Sequence, residues 1–191
     1  MVTWLFSLFA VYFPSGLDPL NSEGHVDFII RITGVTFLMP AIIIGLFKIF
    51  GTVQSVTMVN RKERIVPFFF MAIIYTGIIF MLSSQHRISI HDNLLKFLII
   101  TDILVLVSFL TTLLYKVSVH SLAVWGVVGI LLMLNKITED GRLFYPMLAS
   151  LIVAGLVMSS RLKLHVHTSR EVWLGAVLGI VTSYSAMIIL F

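Results

Sequence analysis

Six long apolar stretches constrain the fold of this sequence more than any other feature. A helix needs roughly 17–25 residues to cross the hydrocarbon core of a bilayer. Inside lipid the backbone must satisfy its own hydrogen bonds, so continuous runs of this length predict helices. We therefore expect an all-α integral membrane protein, a six-transmembrane-helix bundle forming a single domain over 1–191. The helices are predicted at about 27–50, 66–83, 93–115, 119–135, 143–160 and 172–191.

The composition narrows the possible chemistry and partners. Hydrophobic residues make up 59% of the chain and charged residues 12%, whereas soluble domains carry about 25% charged residues. The absence of cysteine excludes disulfides, Cys-ligated zinc and thiol catalysis. The net charge of +4 fits a lipid bilayer with anionic lipid or phosphate partners. The basic residues are scattered between apolar runs, which argues against nucleic acid. No protein partner is indicated.

The first 24 residues differ from the six predicted spans. Residues 2–13 are apolar but too few to cross a membrane, and Pro14, Ser15 and Gly16 end any helix. The start lacks a basic region and a small-residue cleavage site, so we expect no cleaved signal peptide. We predict that 1–24 is an interfacial or re-entrant segment.

Alternation of the spans places three joints on one face of the membrane. The joints at 51–65, 116–118 and 161–171 share this face, and it carries more cations than the other. The positive-inside rule would place such a face in the cytoplasm. However, cations that are present to bind phosphate do not report the topology. The sequence therefore leaves the orientation open. The cations on this face are Arg61, Lys62, Arg64, Lys116, Arg161, Lys163 and Arg170.

The joint before the last helix combines a histidine, a carboxylate and an arginine. His167 and Glu171 are four residues apart, so a helical turn can bring them onto one face. A carboxylate that binds one imidazole nitrogen fixes the tautomer and leaves the other nitrogen free to attack. Arg161 offers a planar fork of donors suited to phosphate oxygens. His167 also lies near a helix start, which favours anions.

A second polar stretch on the same face opens the fourth predicted helix. It provides the cation of Lys116, the hydroxyl of Ser118 and the imidazole of His120. Two histidines, several cations and a helix N-terminus meet the needs of phosphoryl transfer through a phosphohistidine. One histidine attacks, the other protonates the leaving oxygen, and the cations bind the phosphate oxygens.

These two stretches resemble the motifs of the type 2 phosphatidic acid phosphatase superfamily, the membrane relatives of vanadium haloperoxidases. The third motif of that family is S-R-x5-H-x3-D. Ser160, Arg161, His167 and Glu171 match its spacing, with Glu in place of Asp. The second motif, P-S-G-H, corresponds to 117–120, where Ser and His are kept and Pro and Gly are lost. Glycines also follow the third motif in the last helix, at Gly175 and Gly179.

The resemblance implies a six-helix fold and a role for each matched residue. His167 would be the nucleophile, Glu171 its orienting acid, and His120 the general acid. Arg161 and Ser118 would bind the phosphate. The implied activity is hydrolysis of a phosphomonoester or pyrophosphate of a membrane lipid, with no metal and no cofactor. The implied location is a bacterial cytoplasmic membrane, with the site on its outer face.

The sequence departs from the family at the first motif, K-x6-R-P, which is missing. Lys116 could supply one of its cations. Arg61, Lys62 or Arg64, followed by Pro67, could supply another. The weakened second motif and missing first motif also suit a different class, a non-catalytic membrane protein that binds phospholipid or serves in assembly. A small transporter is disfavoured because no inverted repeat is present.

The motif residues also have simpler interpretations. Thr168 and Glu171 fit a capping box, which is compatible with a catalytic turn. Lys163 and Arg170 fit interface anchors whose charges reach the headgroups. The pair His165 and His167 could bind metal, although a stable site would need further ligands.

Other ionisable residues are expected to lie outside the site. His25, His86 and His91 are predicted in wet loops without function. Asp102, deep in the third helix, lies roughly 20 Å of helix before the second polar stretch. We expect it to make a structural hydrogen bond, or a pair with Lys96 or Arg31, as buried charges in membranes require a partner.

Overall fold

The computed structural model describes residues 1–51, 61–84, 88–138 and 141–191, and over these ranges it is helical without strands. This confirms the predicted all-α class. A 3₁₀ turn at Pro14–Leu17 follows the first helix, and another at Gly141–Leu143 precedes the seventh. The α-helices are α1 Val2–Tyr12, α2 Ser22–Thr33, α3 Met39–Ile49, α4 Arg61–Ser84, α5 Asn93–Leu114, α6 Val119–Thr138, α7 Phe144–Lys163 and α8 Ser169–Leu190.

Six helical segments in the described ranges are long and apolar enough to cross a membrane, as predicted. The first span, Ser22–Ile49, is one continuous rod, in which α2 and α3 are joined by the π-helical turn Gly34–Leu38. The other five are built on α4 to α8. The protein is therefore an integral membrane protein. Its interior is formed mainly by α5, α6 and α8, whereas the first span is largely exposed, as expected for a helix that faces lipid.

The N-terminal segment enters the bundle. The side chains of Leu5, Phe6 and Phe9 in α1 are fully buried. The helix is about 16 Å long at 1.5 Å per residue, too short to span. The following turn is tied to the start of α5, where the Leu94 amide donates to the Asp18 carbonyl over 3.2 Å. α1 therefore packs inside the bundle, and it ends just before Pro14 as predicted.

Three predicted boundaries shift in the structure. The first span begins at Ser22, not 27, because the Asn21 side chain caps it by accepting from the Gly24 amide over 2.9 Å. Arg61, Lys62 and Arg64 were expected in a joint but form the first turn of α4. The joint that contains the third motif is shorter than expected, because α7 continues to Lys163 and α8 starts at Ser169. Residues 52–60 of the first joint lie outside the described residues.

The ionisable residues away from the site have mixed outcomes. His25 was wrongly placed in a wet loop, since it lies in α2, is buried, and its Nε2 is 3.1 Å from the Leu20 carbonyl oxygen. Asp102 makes the expected structural hydrogen bond: Thr76 Oγ1 donates to it, 3.0 Å from Oδ2. His91 is exposed beside the start of α5. The prediction for His86 falls outside the described residues.

Glycines bring α8 close to α6 and thereby set the geometry of the site. A Cβ at Gly175 would lie 2.5 Å from the Ser118 carbonyl oxygen, and one at Gly179 would lie 2.2 Å from the Leu122 carbonyl oxygen. No side chain fits in either place. Small residues are the usual means of close helix approach in membranes. The N-terminal halves of α6 and α8 are therefore in close contact.

Candidate active site

The two polar joints predicted to share one face are joined by a backbone hydrogen bond. The Ser118 amide donates to the Glu171 carbonyl oxygen over 3.1 Å. Ser118 is fully buried, and its Oγ accepts from the Ser121 amide at 3.4 Å and from Ser121 Oγ at 2.9 Å. The start of α6 is thus fixed against the first turn of α8. Ser121 was missed at the sequence level, although its place one turn after Ser118 was a usable signal.

His167 and Glu171 form the pair that their spacing predicted. His167 Nδ1 lies 2.6 Å from Glu171 Oε2. The same carboxylate oxygen accepts from the Thr168 amide at 3.3 Å, and the Glu171 amide donates to Thr168 Oγ1 at 3.4 Å. The capping box and the His–Glu pair therefore coexist. With Nδ1 bound to the carboxylate, Nε2 is the ring nitrogen left for chemistry.

The surroundings of His167 favour its neutral form. Only 8% of the residue is exposed, and this burial lowers the pKa of the imidazole below its ordinary value. The hydrogen bond and the charge of Glu171 act in the opposite direction, while the charges of Arg64 and Lys116 add to the lowering. The net direction is downward, which favours the neutral ring with its free lone pair.

Arginines surround the two histidines. Arg64 is buried at 6% exposure, and its guanidinium donates to the Val117 carbonyl oxygen over 3.4 Å. Charge interactions connect His120 with Arg161, His167 and Arg64, which places all four groups in one cluster. His120 itself is exposed at the start of α6. The cluster is rich in positive charge and suits an anion.

Arg161 contributes a donor without a partner. Its Nε is buried and makes no hydrogen bond to any of the described residues. A buried donor of this kind costs on the order of 1–3 kcal/mol if it stays unpaired. A ligand oxygen bound in the cluster would remove that cost.

Lys116 lies between this cluster and a surface cavity. Its Nζ lies 3.8 Å from Glu171 Oε2, and the residue is half-buried. A surface cavity of about 500 Å³ exposes one side of His167, and Lys116 forms part of its wall. The cavity is lined by Lys116, Leu162, His165, Val166, His167, Thr168 and Ser169.

The structure thus brings together the seven residues expected from the sequence. They are Lys116, Ser118 and His120 before or at the start of α6, Arg161, His167 and Glu171 around the α7–α8 joint, and Arg64 in α4. Arg61 is held apart, because its guanidinium donates to the Leu114 carbonyl oxygen over 2.6 Å. Of the three cations in the first turn of α4 that were considered for the missing first motif, Arg64 is the buried one. Lys163 and Arg170 are exposed, as expected of interface anchors.

His165 has a different setting from His167. It is exposed and has a positive φ of 51°, a left-handed conformation that is uncommon for residues other than glycine. This turn reverses the chain between α7 and α8 and so delivers His167 to the cluster. Within the described ranges, no group of three or more His, Cys, Asp or Glu residues is placed to bind a metal ion.

Comparison with known proteins adds no relative: no family model, curated protein or solved structure matches the chain. The resemblance to the lipid phosphatases therefore depends on the motifs and on the cluster that their residues form.

Proposed function

We propose that the protein is a metal-independent lipid phosphate phosphatase that acts through a phosphohistidine. The observation that carries this proposal is the pair of His167 and Glu171 at 2.6 Å, in the same charged cluster as the buried, unpaired Nε of Arg161. A phosphate group would satisfy that donor. It would also neutralise part of the charge that Arg64, Lys116 and Arg161 concentrate around the imidazole.

The chemistry follows from the positions of the two histidines. Nε2 of His167 would attack phosphorus in line, forming a P–N bond while the P–O bond to the lipid breaks. His120 would be protonated when the anionic phosphate binds, would donate this proton to the departing lipid oxygen, and would take a proton from the water of the second step. A water molecule would then attack the phosphohistidine, releasing inorganic phosphate and restoring the neutral ring. Arg161 and Arg64 would bind the equatorial oxygens, where the transition state places its charge.

The lipid would reach the cluster sideways from the bilayer. The phosphate of the lipid would lie at the N-terminal ends of α6 and α8, at the membrane surface. The apolar chains of the lipid would stay between the helices. We assign the site to the extracytoplasmic face of a bacterial cytoplasmic membrane, following the resemblance.

Phosphate release by detergent-purified protein tests the proposal directly. Phosphatidate, phosphatidylglycerophosphate, an isoprenyl pyrophosphate and a lipid A phosphate would be assayed in parallel. We expect release from at least one, and its loss in His167→Ala. His91→Ala is the matched control, because it removes an exposed imidazole beside the start of α5, outside the cluster. Activity that persists in EDTA is also expected, since the positive charge comes from side chains.

Two results would contradict the phosphatase. Folded protein that releases no phosphate from any of these lipids would favour the alternative, a non-catalytic protein that binds phospholipid or serves in assembly. The lost Pro and Gly of the second motif favour that alternative. Release that His167→Ala leaves intact, or that EDTA abolishes, would reject the mechanism.

A further inference from the structure

A second cavity lies beside the cluster and is more basic than the one at His167. It has a volume of about 840 Å³ and opens between the start of α4, the end of α5 and the first turn of α8. Three of its eight lining residues are cations and one is a carboxylate. The lining consists of Arg61, Leu114, Tyr115, Lys116, Thr168, Ser169, Arg170 and Glu171.

Lys116 Nζ is paired with Glu171 Oε2 at 3.8 Å, so the charge that this cavity offers to a ligand comes mainly from Arg61 and Arg170. Glu171 Oε2 is already occupied by His167 Nδ1 and the Thr168 amide. The hydrogen bond from Arg61 to the Leu114 carbonyl uses one of the five N–H donors of the guanidinium. That bond also fixes the guanidinium at the end of α5, so less conformational entropy is lost when an anion binds.

The two cavities adjoin one another. Lys116, Thr168 and Ser169 line both, so they form the shared wall between His167 and Arg61. An anion at His167 therefore has a second basic region next to it. A lipid with a single phosphate would leave that region empty.

We infer that this cavity binds a second phosphate of the lipid headgroup, and that the substrate class is a lipid with two phosphates in its headgroup. The inference rests on the proposed phosphatase activity. With a lipid pyrophosphate, the terminal phosphorus meets Nε2 of His167 and the inner phosphate lies near Arg61 and Arg170. The bridging P–O bond breaks, and a lipid monophosphate leaves with its charge bound by these cations. Water then hydrolyses the phosphohistidine to inorganic phosphate.

Binding to His167→Ala protein tests the inference without turnover. The probes are dioctanoyl diacylglycerol pyrophosphate and dioctanoyl phosphatidate, with affinity measured in detergent. The pyrophosphate lipid should bind about tenfold more tightly, as one or two added charge-assisted hydrogen bonds would give. Adding Arg61→Gln and Arg170→Gln should bring the ratio of the two affinities close to one. Adding Lys163→Gln, an exposed cation outside the cavity lining, should leave the ratio as it is.

Several results would overturn the inference. Equal affinity of the protein for the two lipids would overturn it. The inference would also fail if Lys163→Gln lowered the affinity ratio as much as Arg61→Gln with Arg170→Gln does. Competition by inorganic pyrophosphate as strong as that of the lipid would assign the cavity to a free anion. Turnover by the wild-type protein is measured separately. If no lipid is hydrolysed but the affinity ratio responds as described, the phosphatase proposal fails and the binding cavity stands.

Discussion

At His167, burial and a neighbouring carboxylate act on one imidazole in opposite directions. Burial lowers the pKa of the ring, and Glu171 raises it. The carboxylate therefore has two separable effects: it orients Nδ1, and it keeps the pKa from falling further. A substitution that keeps the hydrogen-bond acceptor but removes the charge can separate them.

We predict that Glu171→Gln moves the acid limb of kcat/KM to lower pH. In the proposed mechanism the nucleophile must be neutral, so activity would be lost as pH falls through the pKa of His167. Without the carboxylate charge that raises this pKa, the loss occurs at a lower pH. The measurement is the pH profile of both proteins on the same lipid, so that titration of the substrate phosphate cancels. A limb that stays in place or moves upward would contradict the assigned electrostatics.

Asp102 provides a second prediction that concerns a single residue. The carboxyl lies in the membrane interior and accepts from Thr76, far along α5 from the cluster. Asp102→Ala removes the acceptor and leaves the Thr76 hydroxyl unpaired, at a cost of about 1–3 kcal/mol. We expect a lower thermal midpoint but unchanged turnover per folded molecule. Asp102→Asn, which can still accept, should lose less stability. A folded but inactive Asp102→Asn protein would refute this structural role.

Single residues differed in how far the sequence revealed their contacts. The pair of His167 and Glu171 was predictable from their spacing of four, although His167 precedes the N-cap of α8 and the capping turn, not a helical turn, sets their separation. The burial of Arg64 was not, since it depends on where α4 packs against the end of α5. The spacing of residues in the sequence predicts contacts within one turn, whereas the contacts of a long side chain depend on tertiary packing.

At the scale of the helices, hydropathy located all six spans but not their ends. The first span starts five residues earlier than expected, because a cap and polar first turn extend the helix beyond the apolar run. Likewise, the cations before Pro67 continue α4 to Arg61. Apolar length reports the part of a helix inside lipid, whereas the site is built from the turns at its edge.

The contact between α6 and α8 yields a prediction for Gly175→Ala. The new Cβ would meet the Ser118 carbonyl oxygen at 2.5 Å, so the helices must move apart. We expect a loss of about 1–3 kcal/mol in the free energy of unfolding. Turnover should fall too, because the hydrogen bond from Ser118 to Glu171 lies at the same contact.

Gly155→Ala serves as the control for this change. It lies inside α7 with no atom within 4 Å of a new Cβ, and alanine favours the helix by about 0.8–1 kcal/mol. Thermal unfolding and phosphate release of both variants measure the difference. A Gly175→Ala protein as stable and active as Gly155→Ala would show that the close approach is dispensable.

For the whole molecule, the sequence predicted which joints share a face but not which face points outward. His91 precedes α5 and Lys163 ends α7, so three spans separate them. An odd number of spans places the two residues on opposite sides of the membrane. The cation count and the family resemblance disagree about which side holds Lys163. Only an experiment on intact cells separates these two expectations.

Because the sequence contains no cysteine, a single introduced cysteine is the one thiol in it that a maleimide can label. We predict that Lys163→Cys reacts with an impermeant maleimide in intact cells, whereas His91→Cys reacts only after permeabilisation. Both positions are exposed, so each should label once the reagent reaches it. The reverse pattern would place the cluster in the cytoplasm, where the cations would follow the positive-inside rule. The proposed phosphatase would then act on lipids of the inner leaflet. Labelling of both positions in intact cells would contradict three spans between them, and with it the bundle.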